Sequence, residues 1–402
     1  MRALLSILVI VQLTSASKID IGGTSWIKDV LLTHFSFTRH PDVNVTAKTA
    51  AQLFIQNEFK AYGLEVLTNS FPTTRSDVTG YNYIGVKRGL RYGTADDRPV
   101  MLLAHYDTVS TTEGVDDNGS GITALLQAAK ALTSTGCTFN YTLMFAAVDF
   151  EEGIDLDNDT NQQFSCSGLC GSKFLVDDWL PKWFQNVSAL DQNNNPTFQG
   201  AIVLETILHI NMTNDSQIVP GAYRPYFPDV YTRIEARGRR GDFIAAMGRE
   251  GQPEMALLDA FTASWKAQSA SPEFDVERFN MPYIQNLTYD LAWNTYRDLV
   301  RSDHLRFWLG GLPAIWITDT ANFRGSMRTC YHSPCDNRHL ATEQSLDFLG
   351  KSTQSLVDAL AALAEFNVCT MSTTTSPVSG SNCVHVDSMF LTAAIYAIWQ
   401  SL

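Results

Sequence analysis

The chain has 402 residues, 29 Lys and Arg against 42 Asp and Glu, and a formal net charge of −13. With 45% hydrophobic and 18% charged residues, its composition excludes wholesale disorder and collagen-like repeats. An acidic chain with no basic run is a poor partner for nucleic acid, and the length suffices for one large α/β domain or two smaller ones.

The N-terminus reads Met1-Arg2, then an apolar run from Ala3 to Leu13, then Thr14-Ser15-Ala16-Ser17. A basic start, a short apolar core and small residues predict a secretory leader over 1–17, cut near Ala16. The run is too short for a membrane span. Residues 46–62 carry Ala50, Leu53, Phe54 and Phe59 at helical spacing and stop at Gly63. Strands are expected at 81–87, 99–104, 141–149, 200–208 and 313–318, and helices at 121–132, 171–180, 252–268 and 343–366. Such alternation predicts a mixed α/β sheet with a parallel core and helices on both faces. No repeat or linker precedes residue 370, so one catalytic domain over 18–369 is expected. Residues 370–382 form a Ser/Thr-rich stalk, and 383–402 hold an apolar C-terminal tail. Small residues, a spacer and such a tail fit the signal for a glycosylphosphatidylinositol (GPI) anchor, with a packed amphipathic helix as the alternative.

Secretion sets an oxidising context for the seven cysteines. Cys166/Cys170 and Cys330/Cys335 are near enough in sequence to staple loops, and no zinc-finger spacing occurs. N-glycosylation sequons begin at Asn44, Asn118, Asn140, Asn158, Asn186, Asn211, Asn214 and Asn286. Asn118 falls among the candidate site residues and is expected to stay bare.

In open α/β sheets, chemistry gathers beyond the carboxyl ends of strands. The strand at 99–104 is followed by His105-Tyr106-Asp107, and the strand at 141–149 by Glu151-Glu152. Glu205 sits in the apolar run 200–208, Asp116-Asp117-Asn118 opens a helix, and Tyr331-His332 follows the last strand and a loop. Taken singly, each has a bland explanation: a polar strand terminus, a helix cap, a solvated acidic pair. Together they put histidines and carboxylates on one sheet edge, and carboxylates crowd where a cation neutralises them. Nitrogen and oxygen donors without thiolate suit a catalytic zinc site.

The ordered set AHYDTV (104–109), DDNGSG (116–121), FEEG (150–153), IVLET (202–206), RSDHLRFWLGGLPAI (301–315) and YHSPCDN (331–337) resembles the secreted co-catalytic di-zinc aminopeptidases. These are metallopeptidase family twenty-eight, bacterial leucyl aminopeptidase-like and related to glutaminyl-peptide cyclotransferase. The resemblance covers roughly residues 45–366. It implies a zinc-exopeptidase (phosphorylase/hydrolase-like) fold and two zinc ions per chain. His105 and Glu205 would bind one ion, Glu152 and His332 the other, and Asp117 would bridge them. Glu151 would be the general base acting on a water shared by the ions. Asp107 would orient His105, and Tyr331 would face the developing oxyanion. Asp303 is a weaker supporting candidate, and His209 and His304 are read as structural. The family usually has Asp where this chain has Glu205. An insertion at 154–170 carries Asp155, Asp157 and Asp159 without the rest of a calcium loop.

The implied activity is hydrolysis of the N-terminal peptide bond of peptides with a free N-terminus, by a secreted or surface-anchored enzyme. Runners-up are a one-zinc glutaminyl-peptide cyclotransferase, which the segment DDNGSG resembles less, and a carboxypeptidase or dipeptidase of the same clan. The last would need a cation for the terminal carboxylate, such as Arg301, Arg306 or Arg324. A non-catalytic relative would have lost ligands or the base, and here every such position is filled. Substrate preference and oligomeric state are left open by the sequence.

Overall fold

The computed structural model describes residues 19–134, 136–153, 169–251, 253–269 and 271–369. The leader, most of the 154–170 insertion with Cys166 and Asn158, the stalk and the tail lie outside the described residues. Ten strands are present there: β1 (Glu65–Pro72), β2 (Thr79–Lys87), β3 (Val100–His105), β4 (Cys137–Phe139), β5 (Leu143–Val148), β6 (Gly200–Leu204), β7 (Phe243–Arg249), β8 (Asp275–Met281), β9 (Ala314–Thr318) and β10 (Phe366–Cys369). Eight of them form one sheet in the order β1-β2-β5-β3-β6-β9-β7-β8, and β4 pairs with β10 apart from it. The central strands β5, β3, β6 and β9 are mutually parallel. Antiparallel β1 and β2 extend one side. On the other side β7 runs antiparallel to β9, and β8 is parallel to β7. The expected mixed sheet with a parallel core is therefore what the chain forms.

Strand β3 shows why both faces are covered. Val100, Leu102 and Ala104 point into one apolar cluster, while Met101 and Leu103 point into the other, and all are fully buried. A strand apolar on both faces needs helices on both. The first cluster is closed by helices Gly121–Ser134, Glu254–Ala267 and Glu343–Leu363. Helix 343–363 begins where the Thr342 hydroxyl accepts from the Ser345 amide, and it buries Leu346, Leu349, Leu356, Val357 and Leu360. The second cluster is closed by the helical stretch 171–186 and by Pro228–Ala236 and His304–Leu309.

Three local expectations need correction. Helix Val45–Ala61 packs through Ala51, Ile55 and Phe59, while Leu53 is 54% exposed. Of the expected apolar positions, Phe59 is buried and Phe54 packs against the core, whereas Ala50 and Leu53 face outward. The strand expected over 200–208 ends at Leu204, because Thr206 adopts φ +49° and turns the chain across the sheet edge. The strand expected over 141–149 is likewise confined to Leu143–Val148.

Candidate metal centre

Strand order places the site. From β3 the chain crosses through helix 121–134 to β5 on one side, and β6 lies on the other side of β3. A crevice opens at such a switch point, beyond the strand carboxyl ends. His105 is the last residue of β3, Glu151 and Glu152 follow β5, and Glu205 follows β6. Asp117 lies just before helix 121–134, and the Asp117–Asn118 peptide bond is cis. His332 comes from the loop after β9, where the Cys330–Cys335 disulfide closes a short turn around it.

These side chains meet. His105 Nε2 lies 3.4 Å from Asp117 Oδ1. His332 Nε2 lies 3.2 Å from Asp117 Oδ2 and 3.2 Å from Glu152 Oε2. Ligand atoms of His105, Glu151 and Glu205 lie within 4.8 Å of one another, as do those of His105, Asp117 and Glu152. One carboxylate thus turns one oxygen to each histidine.

Backbone and supporting side chains hold this arrangement. Asp107 Oδ1 is 3.3 Å from His105 Nδ1 and accepts from the Glu151 amide at 3.2 Å; its Oδ2 accepts from the Glu152 amide at 3.0 Å. Asp107 therefore fixes the imidazole and both glutamates together. Asp336 does the same for Asp117, accepting from the Asp116 and Asp117 amides at 2.8 and 3.1 Å. Asn118 Nδ2 donates to the Leu204 carbonyl at 2.8 Å and ties the Asp117 segment to the end of β6. Asn118 is fully buried, so the sequon there has no room for a glycan. Three non-glycine residues beside or within the site have left-handed backbones: Phe150 (φ +55°), Thr206 (φ +49°) and His332 (φ +57°). Left-handed conformations are costly for such residues and persist where packing imposes them. Phe150 is held by an edge-on contact with Phe71 and by Lys48 Nζ, 4.1 Å over its ring. Lys48 also pairs with buried Asp149.

Electrostatics show what the site lacks from protein alone. Burial pushes Glu205 up to about 8, with Asp117 adding to it. Burial likewise raises Glu152 to about 7 and Glu151 well above the carboxylate range, the latter aided by Glu205. His332 is driven up to about 10: burial would lower it, but Glu152 and Asp117 outweigh burial. Asp107 stays below the usual range although burial opposes this, because His105 lies against it. Buried His105 Nε2, both Asp117 oxygens, Glu151 Oε1, Glu152 Oε1, Glu205 Oε2 and His332 Nε2 have no hydrogen-bond partner among the described residues. Four carboxylates and two imidazoles converging with unpaired atoms fit divalent cations, and the all-nitrogen-and-oxygen donor set suits zinc.

The remaining candidates fall outside this cluster. Tyr331 stacks on the His332 ring at 3.9 Å between centroids. Asp303 is buried and raised to about 6, by burial first, with His105 countering. His304 is buried, with Nε2 3.1 Å from the Leu299 carbonyl and its ring stacked on Trp316. His209 contacts Ser326. Asp336 is the supporting residue that sequence reasoning missed; it stands in YHSPCDN, but nothing in the letters ties it to Asp117.

Residues 82–195 match the model of Peptidase family M28. An uncharacterized Escherichia coli K12 protein, YfbL, is 25% identical over 292 residues, spanning 70% of this chain and 71% of its own. Three solved structures share the fold. A leucine aminopeptidase precursor from Bacteroides thetaiotaomicron superposes with TM-score 0.51 at 15% identity, over 85% of this chain and 97% of its own. Porphyromonas gingivalis glutaminyl cyclase gives 0.52 at 15%, over 86% and 99%. A Zn-dependent exopeptidase from Parabacteroides distasonis gives 0.52 at 15%, over 85% and 99%. The chain thus has the fold of zinc-dependent exopeptidases and glutaminyl cyclases. More specifically, the segment that supplies His105, Asp117, Glu151 and Glu152 is the one that matches Peptidase family M28.

Proposed function

We propose that this protein is a zinc-dependent exopeptidase that removes the N-terminal residue of peptides and holds two ions per chain. The observation that carries this reading is the divided carboxylate of Asp117, with Oδ1 toward His105 and Oδ2 toward His332. His105, Asp117 and Glu205 would hold one ion, and Asp117, Glu152 and His332 the other. When bound, zinc would polarise the scissile carbonyl and lower the pKa of water in the crevice.

The protein's own groups do the rest. Glu151 is buried, with Oε1 unpartnered, between His105 and Glu205. It would take a proton from the attacking water as the oxygen bonds to the carbonyl carbon. When the carbon–nitrogen bond breaks, Glu151 would return that proton to the leaving amine. The Tyr331 hydroxyl would donate to the carbonyl oxygen as it gains charge. Asp107 and Asp336 would keep the donors rigid through the backbone amides they hold. The carboxylates of Glu151 and Glu205 supply negative charge where a free α-amine would sit, which favours cutting at the N-terminus.

A second reading is glutaminyl-peptide cyclisation, favoured by the equal structural likeness to a glutaminyl cyclase. Peptides beginning with Leu and with Gln separate the two when products are read by mass. Loss of one residue supports hydrolysis; loss of ammonia from the Gln peptide supports cyclisation. We further propose an extracellular enzyme, secreted or attached through a lipid anchor. The leader at 1–17, the sequons and the Cys330–Cys335 disulfide support this.

A further inference from the structure

Four arginines are buried among the described residues: Arg39, Arg249, Arg301 and Arg324. Arg39 donates to the carbonyls of Tyr106, Phe35, Phe37, Glu113 and Gly114. Arg249 pairs with Glu254. Arg324 donates to Gln217 Oε1 and to the His209 carbonyl, leaving only its Nη2 without a partner. Arg301 is 8% exposed, its Nε has no hydrogen-bond partner, and its guanidinium forms no ion pair among the described residues. It stands over the rings of Phe323 and Tyr331, at 5.3 and 5.6 Å. Aromatic faces offset part of the desolvation of a cation, but a buried guanidinium with an open donor is complete when an anion meets it.

Arg301 lines a cavity of about 50 Å³ whose other walls include Phe227, Phe243, Phe279, Leu299 and Trp316. A water-sized group occupies about 10–15 Å³ on this measure, so the space takes roughly three to five such groups, a single short side chain. Asp298 also lines the cavity, but its carboxylate takes the Tyr223 hydroxyl at 3.2 Å and forms no ion pair with Arg301. The cavity walls include no metal-centre residue, and Arg301 is the wall residue that also contacts Tyr331. Tyr331 contacts both Arg301 and His332, and Ser302 lies beside Glu205.

We propose that Arg301 and this cavity form a subsite for a substrate carboxylate, with apolar walls around its methylenes and the guanidinium at its charged end. The size of the cavity suits the side chain of Asp or Glu. The terminal carboxylate of a very short peptide has the same chemistry. The proposal rests on the exopeptidase reading and names its substrate class: peptides that present a carboxylate next to the cleaved bond.

The test uses the zinc-loaded full chain and peptides X-Ala-Ala-Phe with X = Glu, Gln or Leu. Glu and Gln differ in charge at nearly constant shape, and the kcat/KM ratio within one protein is insensitive to a general loss of activity. We expect Glu over Gln by about 10- to 100-fold, the range of a charge-assisted hydrogen bond. Arg301→Gln should collapse the ratio, and Arg301→Lys should restore much of it. Leu-Leu against Leu-Leu-amide tests the other source: if the preference for carboxylate appears there and vanishes in Arg301→Gln, the anion is the peptide's own terminus. A wild-type protein that treats Glu and Gln alike and Leu-Leu and its amide alike overturns the proposal, as does a preference that survives Arg301→Gln. If no peptide is cleaved, the exopeptidase reading fails, and calorimetry with glutarate still decides the subsite. Binding to wild type that weakens at least tenfold in Arg301→Gln sustains it, and equal binding ends it.

Discussion

Asp107 offers the sharpest test of how the centre is held. Its carboxylate is 1% exposed, accepts from the amide of Glu151 at Oδ1 and the amide of Glu152 at Oδ2, and sets Oδ1 3.3 Å from His105 Nδ1. Asp107→Asn preserves shape but replaces one oxygen with an NH₂ group. Whichever way the amide turns, one backbone donor faces another donor. One unsatisfied buried donor costs about 1–3 kcal/mol. The imidazole also loses the negative charge behind it, and loss of such support typically weakens metal binding 10- to 100-fold. The expected outcome is a folded protein whose zinc affinity falls by roughly 10- to 100-fold, read by competition with a chromophoric chelator. Its denaturant midpoint should also drop. A variant that binds zinc as tightly as wild type would refute the argument that Asp107 orients His105 and the two glutamates.

Other expectations bear on separate parts of the account. Glu151→Gln should lower turnover by about 10²–10⁴ while zinc content is unchanged; activity within tenfold of wild type would remove Glu151 from proton transfer. Burial holds the His304 imidazole down to about 3, with Arg249 adding to it and the Leu299 carbonyl opposing. The unfolded chain binds a proton below about 6.5 that the native ring refuses, so this contribution to stability falls as pH drops from there toward 3. The loss should approach about 1.4 kcal/mol per pH unit, and denaturant midpoints at pH 7, 6 and 5 should fall less steeply in His304→Phe than in wild type. Equal slopes would show that His304 titrates normally. Replacing Cys330 and Cys335 with Ser removes a cross-link contributing roughly 2 kcal/mol by loop entropy. It frees the turn that carries Tyr331 and His332, and weaker zinc binding on a par with His332→Ala should follow; unchanged binding would show the turn to be fixed without it.

What the sequence makes legible here follows from simple periodicities. Buried parallel strands appear as apolar runs, and polar residues at their carboxyl ends stand out: His105 closing β3, Glu151 and Glu152 after β5. The letters place Glu205 inside a longer strand because Ile207 and Leu208 continue the apolar run. The break comes from the left-handed backbone at Thr206, which no glycine announces. The same holds at Phe150 and His332, whose conformations are imposed by distant packing. Asp336 reaches Asp116 and Asp117 across more than two hundred residues, a pairing with no local signal. Among the arginines, sequence offered Arg301, Arg306 and Arg324 as equals. Burial and partners separate two of them: Arg324 is committed to Gln217 and His209, while Arg301 faces a cavity. Edge strands β1 and β8 alternate in burial over only part of their length, and buried Asn69 in β1 and Glu277 in β8 break the apolar pattern in the letters.

The central claim is that Asp117 stands between two cation positions. Metal analysis of the zinc-reconstituted full chain, by mass spectrometry against protein concentration, tests it directly. The account expects two zinc ions per chain in wild type and one in His332→Ala. One ion per chain at saturation, or a wild-type count retained by His332→Ala, would contradict it.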